Sequence, residues 1–110
     1  MGVILNRQVQ FQRATRKDNG LSTEKVWAAL GGVIRAARQD VSDEERSASG
    51  WIEALLVARF TIRSSAFARA LTPADRLTHD GRTWEILGIK EAQPGRYRFL
   101  EITARARTDV

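Results

Sequence analysis

The stretch that decides the fold is residues 76–89, with the sequence RLTHDGRTWEILGI. Two runs of β-prone residues flank the pair Asp80-Gly81, and an Asp-Gly pair in that setting is the strongest short-range signal for a β-hairpin. The first run, residues 76–79, predicts a short strand, and the second, residues 82–89, predicts a longer one. We therefore expect a tight antiparallel hairpin in the second half of the chain.

Alternation of apolar and polar residues predicts further strands on both sides of this hairpin. It places Leu56, Ala58, Phe60 and Ile62 on one face of the strand before the hairpin, and Leu100, Ile102 and Ala104 on one face of the strand after it. The predicted strands cover residues 97–106, 51–63, 8–16 and 24–30, and Gly31-Gly32 predicts a bulge or bend after the last of these. Dense turn signals between short β-rich runs favour a sandwich or barrel over alternating βαβ units. We expect one domain, residues 1–110, folded as a mainly β, small antiparallel β-barrel of about six strands with one or two short helices.

A polar excursion interrupts the strand pattern at about residues 38–50. Ser42 and Glu45 have the spacing of a capping box, which predicts a short helix inside this long polar loop. A second helical turn, α or 3₁₀, is predicted at Thr72-Pro73-Ala74-Asp75, where a cap residue precedes proline and an acid.

The net charge of +5 is unevenly distributed, because residues 1–17 hold four basic residues and no acid. Two interpretations stay open: a polyanion-facing or partner-facing patch, or a solvated edge strand with charges that prevent aggregation. Trp27 falls on the side of its strand opposite the apolar face, so it is either exposed for a partner or covered by a helix. The candidate ring or adaptor contacts are Arg7, Arg13, Arg16, Lys17 and Trp27.

No constellation of residues for catalysis, a cofactor or a metal is visible. The chain has no cysteine and a single histidine, His79, without a cluster of carboxylates in the sequence around it. No Gly-x-Ser-x-Gly elbow, Walker loop or dinucleotide fingerprint occurs. No apolar run approaches the roughly 20 residues that a membrane-spanning helix needs. We therefore expect no enzyme, no cofactor, no metal and no membrane association.

Taken in order, the segments resemble the phage head–tail joining family, also called head-completion or stopper proteins, of siphophages and gene transfer agents. The resemblance rests on VQFQR at residues 9–13 before Asp18-Asn19-Gly20, on Val26-Trp27, and on RFTIR at residues 59–63. It rests most of all on DRLTHDGRTWEILGI at residues 75–89, and on RFLEITAR at residues 98–105. Each piece is short, but their order covers nearly the whole chain.

This resemblance implies a structural head–tail connector that assembles as a ring of copies of itself. The ring is expected below portal and adaptor proteins and above tail terminator or tail tube proteins, with packaged double-stranded DNA passing through it. The implied location is the virion, and the host cytoplasm during assembly. The resemblance also implies a loop that projects into the channel and holds the DNA. Its candidate residues here are Asp40, Ser42, Asp43, Glu44, Glu45 and Arg46.

The acidic centre of this loop would repel phosphates, which suits a plug better than a DNA binder. Two alternatives remain besides the stopper. One is another connector part, such as a tail-completion protein. The other is a small nucleic-acid-binding barrel of the OB type, against which the scattered positions of the aromatic residues argue.

Overall fold

A computed structural model describes residues 4–42, 55–92 and 98–107 of the chain. Within these ranges the chain forms six strands and one short helix. In chain order they are β1 (Arg7–Asp18), β2 (Thr23–Asp40), β3 (Leu55–Arg63), α1 (Ala66–Arg69), β4 (Arg76–His79), β5 (Arg82–Glu91) and β6 (Phe99–Arg107). The mainly β fold expected from the sequence is confirmed.

The six strands form one antiparallel sheet that closes on itself in the order β1-β2-β3-β6-β5-β4. The closing contact is short, since only residues 10–12 of β1 pair with residues 76–78 of β4. Closure gives the body of the sheet hydrogen-bonding partners on both sides, which removes the open edges on which sheets aggregate. The small antiparallel barrel predicted from the sequence is confirmed.

The barrel is filled by side chains from alternate positions of its strands. Phe60 lies at the centre, with its ring edge-on to Trp84 at 5.1 Å and to His79 at 5.3 Å between centroids. Such edge-to-face pairs are the preferred geometry of aromatic side chains in a core. The inward faces predicted for β3 and β6 are confirmed. The fully buried residues include Val9, Phe11, Ala58, Phe60, Ile62, Leu77, Trp84, Ile102 and Ala104.

A bulge occurs in β2 near the position that the glycine pair predicts. The register between β1 and β2 shifts between Val9 and Phe11. Gly31 has a φ of +69°, and a Cβ at this position would lie 2.8 Å from Cε1 of Phe67. Phe67 of α1 thereby packs against β2 and edge-on to Phe11, with 6.2 Å between ring centroids. Glycine is required here both for its backbone angle and for the space that it leaves.

Strand β2 is longer than predicted. Residues 38–40, which we expected in the polar excursion, pair with β3 instead. Arg38 donates from Nε to Oδ1 of Asp40 at 2.8 Å, so the two charged side chains are accommodated on the strand. The prediction was wrong here because backbone pairing with β3 keeps these polar residues in the strand, and the half-buried Arg38 places its Cζ 5.0 Å from the Trp84 ring centroid. The short helix that the capping box predicts has Ser42 as its cap, and its other residues lie outside the described ranges.

The helix α1 is not among the elements predicted from the sequence. Ser65 caps it, because its Oγ accepts a hydrogen bond from the backbone N–H of Ala68 at 3.0 Å. The predicted helical turn at Thr72-Pro73-Ala74-Asp75 is a hydrogen-bonded turn and not a helix, closed by the Asp75 N–H donating to the Thr72 carbonyl at 3.0 Å. Both elements lie at the end of the barrel where β4 begins.

Candidate functional site

The most prominent surface feature is a two-stranded arm, residues 13–28, that extends beyond the closed barrel. β1 pairs with β4 only as far as Gln12, whereas its pairing with β2 continues from Arg13 opposite Ala28 to Asp18 opposite Thr23. Every residue from 15 to 26 is exposed. A two-stranded ribbon is marginally stable by itself in water, so the arm depends on contacts at its root.

The tip of the arm is ordered by its own hydrogen bonds. The Asn19 side-chain Oδ1 accepts from the backbone N–H groups of Leu21 and Ser22 at 3.0 and 2.8 Å. Asp18 accepts from the N–H of Gly20 at 2.8 Å, and Gly20 has a φ of +89°. This turn leaves the Leu21 side chain 97% exposed. The tip therefore presents an apolar side chain on a defined turn.

One face of the arm is anchored at its root by an ion pair. Arg13 donates from Nε and Nη2 to the two carboxylate oxygens of Asp75, at 2.9 and 3.0 Å, and from Nη2 to the Ala70 carbonyl at 3.1 Å. The Asp75 side chain is 2% exposed and also accepts from the Thr72 N–H at 2.9 Å. The hydrogen bonds from Arg13 hold the pKa of Asp75 below its ordinary value. The arm is thereby tied to the turn that follows α1.

The opposite face of the root is anchored by an aromatic residue. The Arg76 guanidinium lies over the Trp27 ring, with its Cζ 4.1 Å from the ring centroid. Arg76 also donates from Nε to Oε1 of Gln12 at 2.6 Å. Lys25 adds a more distant contact, with Nζ 6.0 Å from the same ring centroid. Trp27 is therefore half-buried and covered in part by Arg76 of β4.

The predicted contact residues do not form one patch. Arg7 is exposed at the start of β1, at the end of that strand opposite the arm. The Arg13 guanidinium forms an ion pair with Asp75 of the same chain. Arg16 and Lys17 are exposed on opposite faces of the arm, because successive residues of a strand alternate. A role of these residues in ring or adaptor contacts stays a prediction.

Two functional candidates were missed from the sequence. Lys25 lies directly opposite Arg16 and on the same face as Trp27. The alternation of side chains along β2, which puts Lys25 and Trp27 on the same face, was the signal that could have identified it. Arg76 reaches this face through the pairing of β4 with β1, a long-range contact for which the sequence carries no local signal.

Of the candidate channel loop, the structure describes only the first part. Asp40 ends β2 and pairs with Arg38, and Ser42 is exposed just beyond it. Asp43, Glu44, Glu45 and Arg46 lie outside the described residues, so their role stays a prediction. Because β2 runs from the arm to Asp40, the loop leaves the barrel at the end opposite the arm tip.

The single histidine is part of the barrel interior. Its Nδ1 lies 2.9 Å from the Gln8 carbonyl, and among the described residues its buried Nε2 has no hydrogen-bond partner. Trp84 donates from Nε1 to the His79 carbonyl at 3.3 Å. Across residues 4–42, 55–92 and 98–107, no group of three histidine, cysteine or acidic residues is placed to hold a metal ion. No helix in the described part of the chain is long and apolar enough to span a bilayer.

Solved structures that share this fold include two that match nearly the whole chain. A chain from the virion of a native gene transfer agent particle is 25% identical, with a TM-score of 0.69 over 96% of this chain and 97% of that chain. A protein from Shigella flexneri 2a, solved in solution, is 22% identical, with a TM-score of 0.67 over 93% of this chain and 92% of that chain. No curated protein matches the sequence.

The family comparison covers almost the whole chain. The model of the family described as phage head completion protein matches residues 3–107. This range includes the complete barrel, the arm and the turn at Asp75 that anchors it. The match agrees with the resemblance found in the order of the sequence segments. The chain therefore belongs to the phage head completion protein family, whose members are structural proteins of the virion.

Proposed function

We propose that the protein is a stopper-type head–tail connector that forms a ring between the portal or adaptor and the tail. It acts as a structural part and not as an enzyme, helps to retain packaged DNA, and provides the surface on which the tail docks. The observation that carries this proposal is the family match over residues 3–107. The similarity to a chain of a gene transfer agent virion over nearly the full length of both chains supports it.

The shape of the subunit suits assembly with neighbours. The barrel is closed, so its body offers no free sheet edge for strand addition, and projecting segments are the natural elements to reach a neighbour. The arm is such a segment, and the chain between Ser42 and Leu55 leaves the barrel at the other end. One subunit therefore has contact elements at two separated positions, as a ring of identical subunits with head-to-tail interfaces requires.

The first test is electron microscopy of particles from a producing strain that lacks this gene, with and without the wild-type gene restored. We expect free complete tails beside heads that have lost their DNA, and intact particles on restoration. Two separate counts are needed: heads with tails attached, and heads that contain DNA. Normal particles in the deletion strain would contradict the joining role.

A narrower test addresses DNA retention. Val41 is buried and its N–H donates to the Val57 carbonyl at 2.9 Å, so replacement of the loop should begin after Ser42. Exchange of residues 43–50 for a Gly-Ser segment of equal length should leave tails attached but heads leaking DNA. A matched control, Asp43→Asn, Glu44→Gln and Glu45→Gln, keeps the size of the loop and removes only its negative charge. Normal retention with the Gly-Ser segment would contradict the gating role.

A further inference from the structure

Exposed arginines collect at the end of the barrel where β3 ends and β6 begins. Arg63 pairs across the sheet with Phe99, and both side chains line a cavity of about 490 Å³ together with Ser64 and Arg98. The Ser64 N–H donates to the Arg98 carbonyl at 2.8 Å, which holds these two residues side by side. Two guanidinium groups and one aromatic ring therefore share this cavity.

Two further arginines lie beside the cavity on neighbouring elements. Arg69 of α1 donates from Nη1 to Oγ of Ser64 at 3.1 Å, which places its guanidinium next to the cavity wall. Arg35 and Arg63 lie just beyond the terminal pair of the β2–β3 ladder, and both residues of that pair are buried. Because side chains alternate along a strand, Arg35 and Arg63 point outward on neighbouring strands. We call this set, Arg35, Arg63, Arg69 and Arg98, the arginine cluster.

The charge of the arginine cluster has no counterpart in the described part of the chain. Among the described residues, none of the four arginines forms an ion pair, and no carboxylate lines the cavity. The nearest acidic residues in the strand register are Glu101 and Glu91. Glu101 pairs with Arg59 and Lys90 instead, and Glu91 makes no ion pair with the cluster. The cluster is therefore a surface of a single sign, which attracts a polyanion.

The chemistry of the arginine cluster fits the phosphates of a duplex better than a protein surface. All four cations are guanidinium groups, whose planar fork matches a phosphate with paired hydrogen bonds. Apart from the Phe99 ring, the residues that line the cavity are polar or charged, so the cavity lacks the apolar centre of a protein–protein interface. Clustered arginines on one face are typical of contact with a nucleic-acid backbone.

We propose that the arginine cluster faces the packaged DNA and contacts its phosphates as the duplex passes through the ring. This inference rests on the proposed function, because it assumes a ring of copies around DNA. Contacts between arginine and phosphate carry no sequence information, which suits a channel that DNA of any sequence must pass. The cluster recurs in every copy of the ring, so contacts that are weak singly act together.

Cross-linking in assembled particles tests this assignment. A phenylalanine analogue that carries benzophenone replaces Phe99 of the cavity in one strain, and in another it replaces Trp27, a half-buried aromatic residue of the arm. The particles are irradiated, the DNA is trimmed with nuclease, and adducts on the chain are identified by mass spectrometry. We expect a yield of nucleotide adducts at position 99 that is about tenfold or more above the yield at position 27.

Removal of charge from the cluster provides the second part of the experiment. Arg63→Gln and Arg98→Gln are combined with the analogue at position 99, and the matched control carries Arg63→Lys and Arg98→Lys, which keep the charge. Both side chains are exposed, so both variants should fold, which circular dichroism of the purified chains checks. We expect nucleotide adducts to fall about tenfold in the glutamine variant and to stay within about twofold in the lysine variant.

The partner found in the adducts decides between DNA and protein. Adducts to a neighbouring protein without nucleotide adducts at position 99 would overturn the assignment, and so would a nucleotide yield that the glutamine variant leaves unchanged. Loss of joined particles in the glutamine variant would also overturn it, because a cluster that contacts only DNA is not needed for the tail to dock. Joined particles that contain DNA but lack peptides of the chain would contradict the proposed function instead.

Discussion

Replacement of Asp75 by asparagine should loosen the root of the arm and lower the stability of the whole domain. The buried carboxylate accepts three hydrogen bonds, two from Arg13 and one from the Thr72 N–H. Asparagine keeps the volume and one acceptor oxygen, but its amide places N–H groups against a donor. The substitution therefore removes the charge and at least one charge-assisted hydrogen bond without creating a cavity.

The expected cost follows from the burial of the two partners. A hydrogen bond to a charged group contributes about 1.5–3 kcal/mol, and loss of one partner of a fully buried pair costs about 3–5 kcal/mol. The Arg13 side chain is 44% exposed, so water replaces part of what it loses. We expect Asp75→Asn to lower the free energy of unfolding by about 2 kcal/mol, which lowers Tm by roughly 8–10 °C for a domain of this size.

Lowering the pH should shrink the difference in stability between wild type and Asp75→Asn. The hydrogen bonds from Arg13 lower the pKa of Asp75, so the ionised carboxylate stabilises the fold at pH values above about 4, its ordinary pKa. That stabilisation is lost as the pH falls through the lower pKa of the folded state. The difference in free energy of unfolding between wild type and Asp75→Asn is therefore largest near neutral pH and shrinks on acidification.

Urea unfolding followed by circular dichroism measures both effects, with Asp40→Asn as the matched control. Asp40 accepts from Arg38 at a similar distance, 2.8 Å, but its side chain is 65% exposed. Surface ion pairs contribute about 0–1 kcal/mol, so the control should lose at most about 1 kcal/mol. Equal losses in the two variants, or a cost of Asp75→Asn that does not shrink in acid, would refute the role assigned to the buried pair.

Three further substitutions have defined outcomes. Gly31→Ala forces a left-handed backbone and a contact with the Phe67 ring, so thermal unfolding should show a loss of about 1–3 kcal/mol; an unchanged Tm would mean that the bulge relaxes freely. Leu21→Ser should leave Tm within about 2 °C, because the side chain is 97% exposed, and a large loss would mean that the tip packs within the chain. Ile62→Val should cost about 0.5–1.5 kcal/mol in urea unfolding, since the side chain is fully buried; no cost would contradict a close-packed core.

The barrel body was predictable because its signals are local. The Asp80-Gly81 hairpin forms as expected, with Asp80 and Gly81 both at positive φ. The alternation in β3 and β6 correctly identified the residues that fill the interior, among them Phe60 and Ile102. In each case one residue pattern specified both the strand and its buried face.

The length of β2 and the helix α1 were not predictable in the same way. Residues 38–40 are polar, and only their pairing with β3 keeps them in a strand. The sequence Ala66–Arg69 is too short to show a helical period, and its cap, Ser65, is one of several serines in the chain. Both features depend on tertiary contacts that a local pattern does not contain.

The candidate surface was predictable only in part. Arg16 and Trp27 were identified from charge and alternation, but the commitment of Arg13 to Asp75 joins residues 62 positions apart. The same holds for Arg76, which reaches Trp27 through the closure of the barrel. A test that reverses Arg13 would therefore disturb folding and docking together, and Arg16 and Lys25 are the better positions.

The measurement that tests the central claim most directly is a cryo-electron microscopy reconstruction of the head–tail joint in intact particles. We predict a ring of copies of this chain between portal and tail. A joint that lacks the chain would contradict the connector role.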